Sequence, residues 1–81
     1  MTGLERLDRL AEAFDIELAR SGSRRTFALN GRVITFRPVR SGVFRIEARI
    51  DGQLDAVQHG SEGRVEQLLH TKHLTTKKEQ S

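Results

Sequence analysis

The chain has 81 residues, a formal net charge of +3, a pI near 10.2 and no Cys. That length holds one domain near the lower limit for an unassisted core, and the missing Cys excludes disulfides, Cys-ligated zinc and thiol nucleophiles. No apolar run approaches membrane-spanning length and no signal peptide is recognisable, so a cytoplasmic protein without membrane contact is expected.

The first helix is predicted to open on Thr2-Gly3-Leu4-Glu5, a capping-box pattern in which hydroxyl and carboxylate each satisfy a free backbone donor. Leu4, Leu7, Leu10, Ala11 and Phe14 then recur at helical spacing as one apolar stripe. Continuing the helix to Arg20, with Gly22 as its cap, would turn Ile16 to the wet side. The preferred reading is an exit near Asp15, then a short strand in which Ile16 and Leu18 share a face, and a turn over Ser21 to Ser23.

From Arg24 to Gln58 short apolar and polar residues alternate between turn signals at Asn30-Gly31, Ser41-Gly42 and Asp51-Gly52, the pattern of an antiparallel meander. Asn-Gly suits a type I′ turn, which needs positive φ at both central residues. It pairs Leu29 with Arg32, Phe27 with Ile34 and Arg25 with Phe36. Phe27, Leu29, Ile34 and Phe36 then share the core face, while Thr26, Ala28, Val33, Thr35 and Arg37 share the other. A symmetric loop around Arg40 would set Phe36 opposite Phe44 and Ile34 opposite Ile46, and extend the core face through Ala48 and Ile50. A three-residue turn at Asp51, Gly52 and Gln53 would add Leu54 and Ala56, with Arg49 opposite Asp55 as an ion pair on the outer face.

A loop from Gln58 to Arg64 is expected to lead into a second helix capped by Ser61, with Val65, Leu68 and Leu69 as its stripe, extending to Leu74. Residues 1–74 thus form one α+β domain: an N-terminal helix, a four- or five-stranded antiparallel meander and a C-terminal helix, with both helices on one sheet face. Residues 75–81 read as a flexible polar tail.

Charge is distributed unevenly. Residues 24–58 carry seven Arg against three acids, whereas residues 1–23 carry three Arg against five acids. The outer sheet face is therefore the expected partner surface, with Arg37, Arg45, Arg49, Arg24, Thr35 and Arg40 as candidate contacts, since guanidinium forks suit carboxylates and phosphates. Glu66, His70 and His73 share a helical face at metal-ligand spacing, but His near a helix C-terminus more commonly serves the dipole. The loop His59-Gly60-Ser61-Glu62-Gly63 lacks the first Gly of a nucleophile elbow. No nucleotide, zinc or calcium motif is present, so neither catalysis nor a cofactor is expected.

Trp and Tyr are absent, and all four Phe fall at predicted core positions, which removes the stacking platform of sheet-based single-strand readers. The order helix, three strands, helix is similar in outline to the double-stranded-RNA-binding domain, but the second helix here lacks a Lys-rich start. In size and simplicity the chain is similar to small mobile-element inhibitors of host nucleoprotein machines, such as anti-CRISPR proteins. The expected function is a non-enzymatic docking protein that binds an acidic protein or a nucleoprotein complex through its Arg-rich surface. The alternatives are a sequence-nonspecific DNA or RNA binder acting through the phosphate backbone, and a homodimer subunit that buries its outer Val residues.

Overall fold

The computed structural model describes residues 3–79. Thr2, the proposed cap, and residues 80 and 81 of the polar tail lie outside them. The element order is α1 (Gly3–Ala13), β1 (Ala19–Ser21), β2 (Arg24–Leu29), β3 (Arg32–Arg40), β4 (Val43–Ile50), β5 (Gln53–Gly60) and α2 (Glu62–Glu79). The strands form a five-stranded antiparallel sheet in the order β1-β2-β3-β4-β5, and the helices pack on it. The α+β architecture is the expected one.

α1 ends through a Schellman motif, in which a residue of positive φ lets its own amide and the next one reach back to orphan carbonyls. Asp15 has φ 56°, its N–H donates to the Glu12 carbonyl at 3.1 Å, and the Ile16 N–H donates to the Ala11 carbonyl at 2.8 Å. Ile16 and Ala11 are both buried in the core, the apolar contact that accompanies this cap. The exit near Asp15 is therefore as read from sequence. The strand that follows is shorter, because Ile16 to Leu18 have no sheet pairing and only Ala19–Ser21 join β2. Its turn is Gly22-Ser23.

The β2–β3 hairpin has the predicted register, with Arg25 opposite Phe36, Phe27 opposite Ile34 and Leu29 opposite Arg32. Asn30 and Gly31 have φ of 50° and 78°, as a type I′ turn demands. The next two hairpins differ from expectation. Phe36 faces Ile46, Ile34 faces Ala48 and Pro38 faces Phe44, two residues away from the symmetric-loop register. The turn is the two residues Ser41-Gly42, and Val39 is left unpaired between Pro38 and Arg40. A two-residue turn with no bulge would have placed Glu47 opposite Phe36 on the core side. One extra residue restores the parity. Pro38, which has no N–H to donate, falls at this irregularity and beyond Phe36, where the β2 pairing ends.

The third hairpin repeats the solution. Asp51 and Gly52 form a two-residue turn with φ of 52° and 81°, in place of the three-residue turn expected. Ile50 then faces Gln53 and Arg49 faces Leu54, until the register shifts and Ala48 faces Ala56, leaving Asp55 as the bulged residue. Leu54 is consequently exposed and outside the core.

The core holds Leu7 and Ala11 of α1, Phe27, Leu29, Ile34, Phe36, Phe44 and Ile46 of the sheet, and Val65 and Leu69 of α2. Phe36 has no solvent exposure and meets Phe27 and Phe44 edge to face, with centroids 6.3 Å away in each case. Such T-shaped pairs add to area burial. β5 continues to Gly60, so the expected loop from Gln58 to Arg64 shrinks to Ser61, whose carbonyl accepts the Arg64 N–H at 3.0 Å. A Cβ at Gly60 would lie 3.0 Å from Arg64 Cβ, so the missing side chain lets the helix turn back closely over the sheet. α2 continues as helix past Leu74 to Glu79, and Leu74 is solvent-exposed instead of completing the stripe.

Ion pairs of Asp8 and Arg6 tie α1 to the remainder of the domain. Arg25 points inward from β2, only 8% exposed, and clamps Asp8 through Nε to Oδ1 at 2.9 Å and Nη2 to Oδ2 at 3.2 Å. Its Nη1 donates to the carbonyls of Gly22 and Arg24. Arg6 grips Glu62, with Nε to Oε2 at 3.0 Å and Nη2 to Oε1 at 2.9 Å, which joins the first turns of the two helices.

Candidate docking face

The outer face of the sheet is opposite the face that holds the core. Cross-strand alternation sorts it into three rows. The first runs Ser21, Arg24, Arg37, Arg45, His59, given Ser21 opposite Arg24, Arg37 opposite Arg45 and Arg45 opposite His59; Arg24 and Arg37 are neighbours because Arg25 faces Phe36. The second runs Ala19, Thr26, Thr35, Glu47, Val57, and the third Ala28, Val33, Arg49, Leu54. One end is basic, the middle is polar, and the other end is largely apolar around a single Arg.

Arg24, Thr35, Arg37 and Arg45 line one shallow depression together with Glu47, so four of the six candidate contacts are adjacent. Their charges are not equivalent. Arg45 Nε donates to Glu47 Oε1 at 2.9 Å, and Arg49 Nη2 lies 3.5 Å from Glu47 Oε2. The hydrogen bond from Arg45 and the two nearby guanidinium charges hold the Glu47 carboxyl below its ordinary range, against the opposing effect of desolvation. Arg24 and Arg37 have no ion pair among the described residues, and they carry the free positive charge of this end. Thr35 is engaged with Thr26 through a 3.1 Å hydroxyl contact.

Two positions fall elsewhere. Arg49 does not face Asp55, because the Asp55 bulge places Leu54 opposite it; Asp55 instead lies 3.9 Å from Arg32. Arg40 lines a separate cleft with Leu4, Val39, Phe44 and Glu62, away from the Arg24 cluster.

The helical candidates also resolve. His73 stacks on Phe14 with centroids 4.4 Å away and the rings 14° from parallel, and His70 meets the same ring edge-on at 4.8 Å. Phe14 thus draws both imidazoles into the α1–α2 contact. Among the described residues no group of three or more His, Asp and Glu is arranged to hold a metal. At the start of α2, the Glu62 carboxylate is occupied by Arg6, whose hydrogen bond lowers its pKa.

Sequence reasoning missed the Arg25–Asp8 clamp. The available signal was an Arg at an inward strand position opposite Phe36, which demands a buried partner. No helix among the described residues is long and apolar enough to cross a membrane. Neither family models, nor curated proteins, nor solved structures give a match to this chain.

Proposed function

We propose that this is a non-enzymatic docking protein whose outer sheet face binds an acidic surface of a protein or nucleoprotein complex, in the manner of a small inhibitor of a nucleoprotein machine. The observation that supports it is the sorting of that face. Unpaired Arg24 and Arg37 stand at one end, and Val33, Val57 and Leu54, all at least 39% exposed, stand toward the other. Unpaired guanidiniums at one end of a face and apolar side chains at the other match a protein surface with an apolar patch flanked on one side by carboxylates.

A phosphate backbone offers nothing to the apolar end. Base stacking is also unsupported, since Phe27, Phe36 and Phe44 are buried and Phe14 packs against imidazoles. The nucleic-acid reading therefore ranks second, and the homodimer third.

The test is an affinity capture with the wild type and with Arg24→Glu/Arg37→Glu, followed by a salt series on the captured complex and on a generic duplex. The double variant should lose the partner while melting within a degree or two of wild type, because exposed charges contribute little to stability. Val33→Asp should weaken the same complex. Generic duplex binding that falls linearly in log salt, with no protein captured, would favour the backbone binder. Capture that survives both variants would remove the face from consideration.

A further inference from the structure

The sheet has two very different edges. β1 covers one side with only three residues, and such short edges resist strand addition. The other edge is β5, eight residues with the sequence QLDAVQHG, exposed from Gln53 to His59. It contains neither Lys nor Pro, the residues that most often block an edge, and its single bulge at Asp55 leaves Ala56 to Gly60 in regular pairing with β4. Among the described residues no strand pairs with its free side.

A second feature borders this edge on the helix side. Ala56 and Gln58 of β5, Ala48 and Ile46 of β4, and Leu68 and Arg64 of α2 line a cleft of about 440 Å³. Its lining mixes small and branched apolar side chains with polar ones, and Arg64 and Arg32 both contribute to it. Arg64 donates only to the neutral Gln67, at 3.2 Å, and has no carboxylate partner among the described residues. Arg32 has only the long 3.9 Å pair with Asp55.

We infer that the free edge of β5 pairs with an extended acidic segment of a partner protein, whose inward side chains enter the cleft below α2 and place a carboxylate against Arg64. Main-chain hydrogen bonds supply affinity in such strand addition, and pockets for alternate side chains supply selectivity. An acidic strand is favoured over a second copy of this chain, because β5 carries a single acid, Asp55, already 3.9 Å from Arg32, and so has no further carboxylate to offer Arg64. This site is separate from the outer face and does not depend on the docking role proposed above.

The test uses the full chain, isotope-labelled for amide spectra, and a capped hexapeptide of alternating valine and aspartate. Saturable shifts at Gln53 to Gly60 and around Arg64 and Leu68, with slowed amide exchange in β5, are expected. The same peptide with lysine for aspartate, or with alternate amides N-methylated, should bind at least tenfold more weakly, as should the aspartate peptide to Arg64→Glu. Arg24→Glu/Arg37→Glu should bind the peptide as the wild type does, so failure of the outer-face reading leaves this result intact. Absence of saturable shifts, equal binding of the lysine peptide, or shifts confined to the outer face would overturn the inference. A doubled solution mass without peptide, with the same β5 amides protected, would overturn it in favour of self-pairing.

Discussion

Arg24 and Arg25 are adjacent in the chain and have opposite fates. Arg25 projects into the core side, clamps Asp8 and anchors α1 to the sheet, while Arg24 projects outward beside Arg37 with no acid partner among the described residues. The alternation of a strand makes the difference, since one step along the backbone moves a side chain from one face to the other. Arg enrichment here is therefore two populations, one clamped inside the fold and one exposed without an acid partner among the described residues. Charge counted along the sequence does not separate them.

The widest gap between the faces should appear on deleting Phe36. It is fully buried between Phe27 and Phe44, so Phe36→Ala should cost about 3 to 5 kcal/mol, against a total of about 5 to 15 kcal/mol for a typical domain. Denaturant melts measure it, and a loss under about 1 kcal/mol would mean that inner and outer faces have been exchanged. Asp8→Ala comes next. It strands the Arg25 guanidinium, whose side chain is 10% exposed, and should cost about 3 kcal/mol. Arg24→Ala in the same melt should change stability by no more than about 0.5 kcal/mol, and equal losses at the two positions would abolish the contrast between them.

Smaller effects sharpen the picture. Asp15 holds positive φ at the end of α1, so Asp15→Gly should stabilise the protein by about 0.5 to 1 kcal/mol by removing a strained left-handed residue. A destabilised variant would show that the Asp15 side chain contributes more than its backbone strain costs. The smallest effect is acid-dependent. Glu47 and Glu62 have folded pKa values below the ordinary 4.5, chiefly through hydrogen bonds from Arg45 and Arg6. Their contribution is complete above about pH 4.5 and is lost as the pH falls through the lowered folded values. The melting temperature should therefore decline on acidification below that range, and Glu47→Gln/Glu62→Gln should flatten the decline.

Much of this was legible from residue pattern because it depends on local chemistry. Asn30-Gly31 accepts positive φ at two successive positions, which determines the β2–β3 register independently of any tertiary contact. The inward set Phe27, Leu29, Ile34 and Phe36 followed from that turn. The apolar stripe of α1 and its exit at Asp15 followed from helical periodicity and the need to keep Ile16 out of water.

Tertiary structure alone decided the other two hairpins. At Ser41-Gly42 and Asp51-Gly52 a two-residue turn by itself reverses the faces, and only the burial of the whole sheet selects the extra residue, Val39 or Asp55, that reverses them back. Those bulges moved Phe44 opposite Pro38, placed Leu54 on the exposed face and took Asp55 away from Arg49. The pairing of Arg25 with Asp8 and the stacking of His73 on Phe14 join residues far apart in sequence, and no local preference encodes which distant partner a side chain meets. What the chain could specify by itself was therefore its turns, its periodicities and the sign of its surface. Which cations remain free was decided by packing, because a carboxylate neutralises only the guanidinium that the completed fold brings within reach.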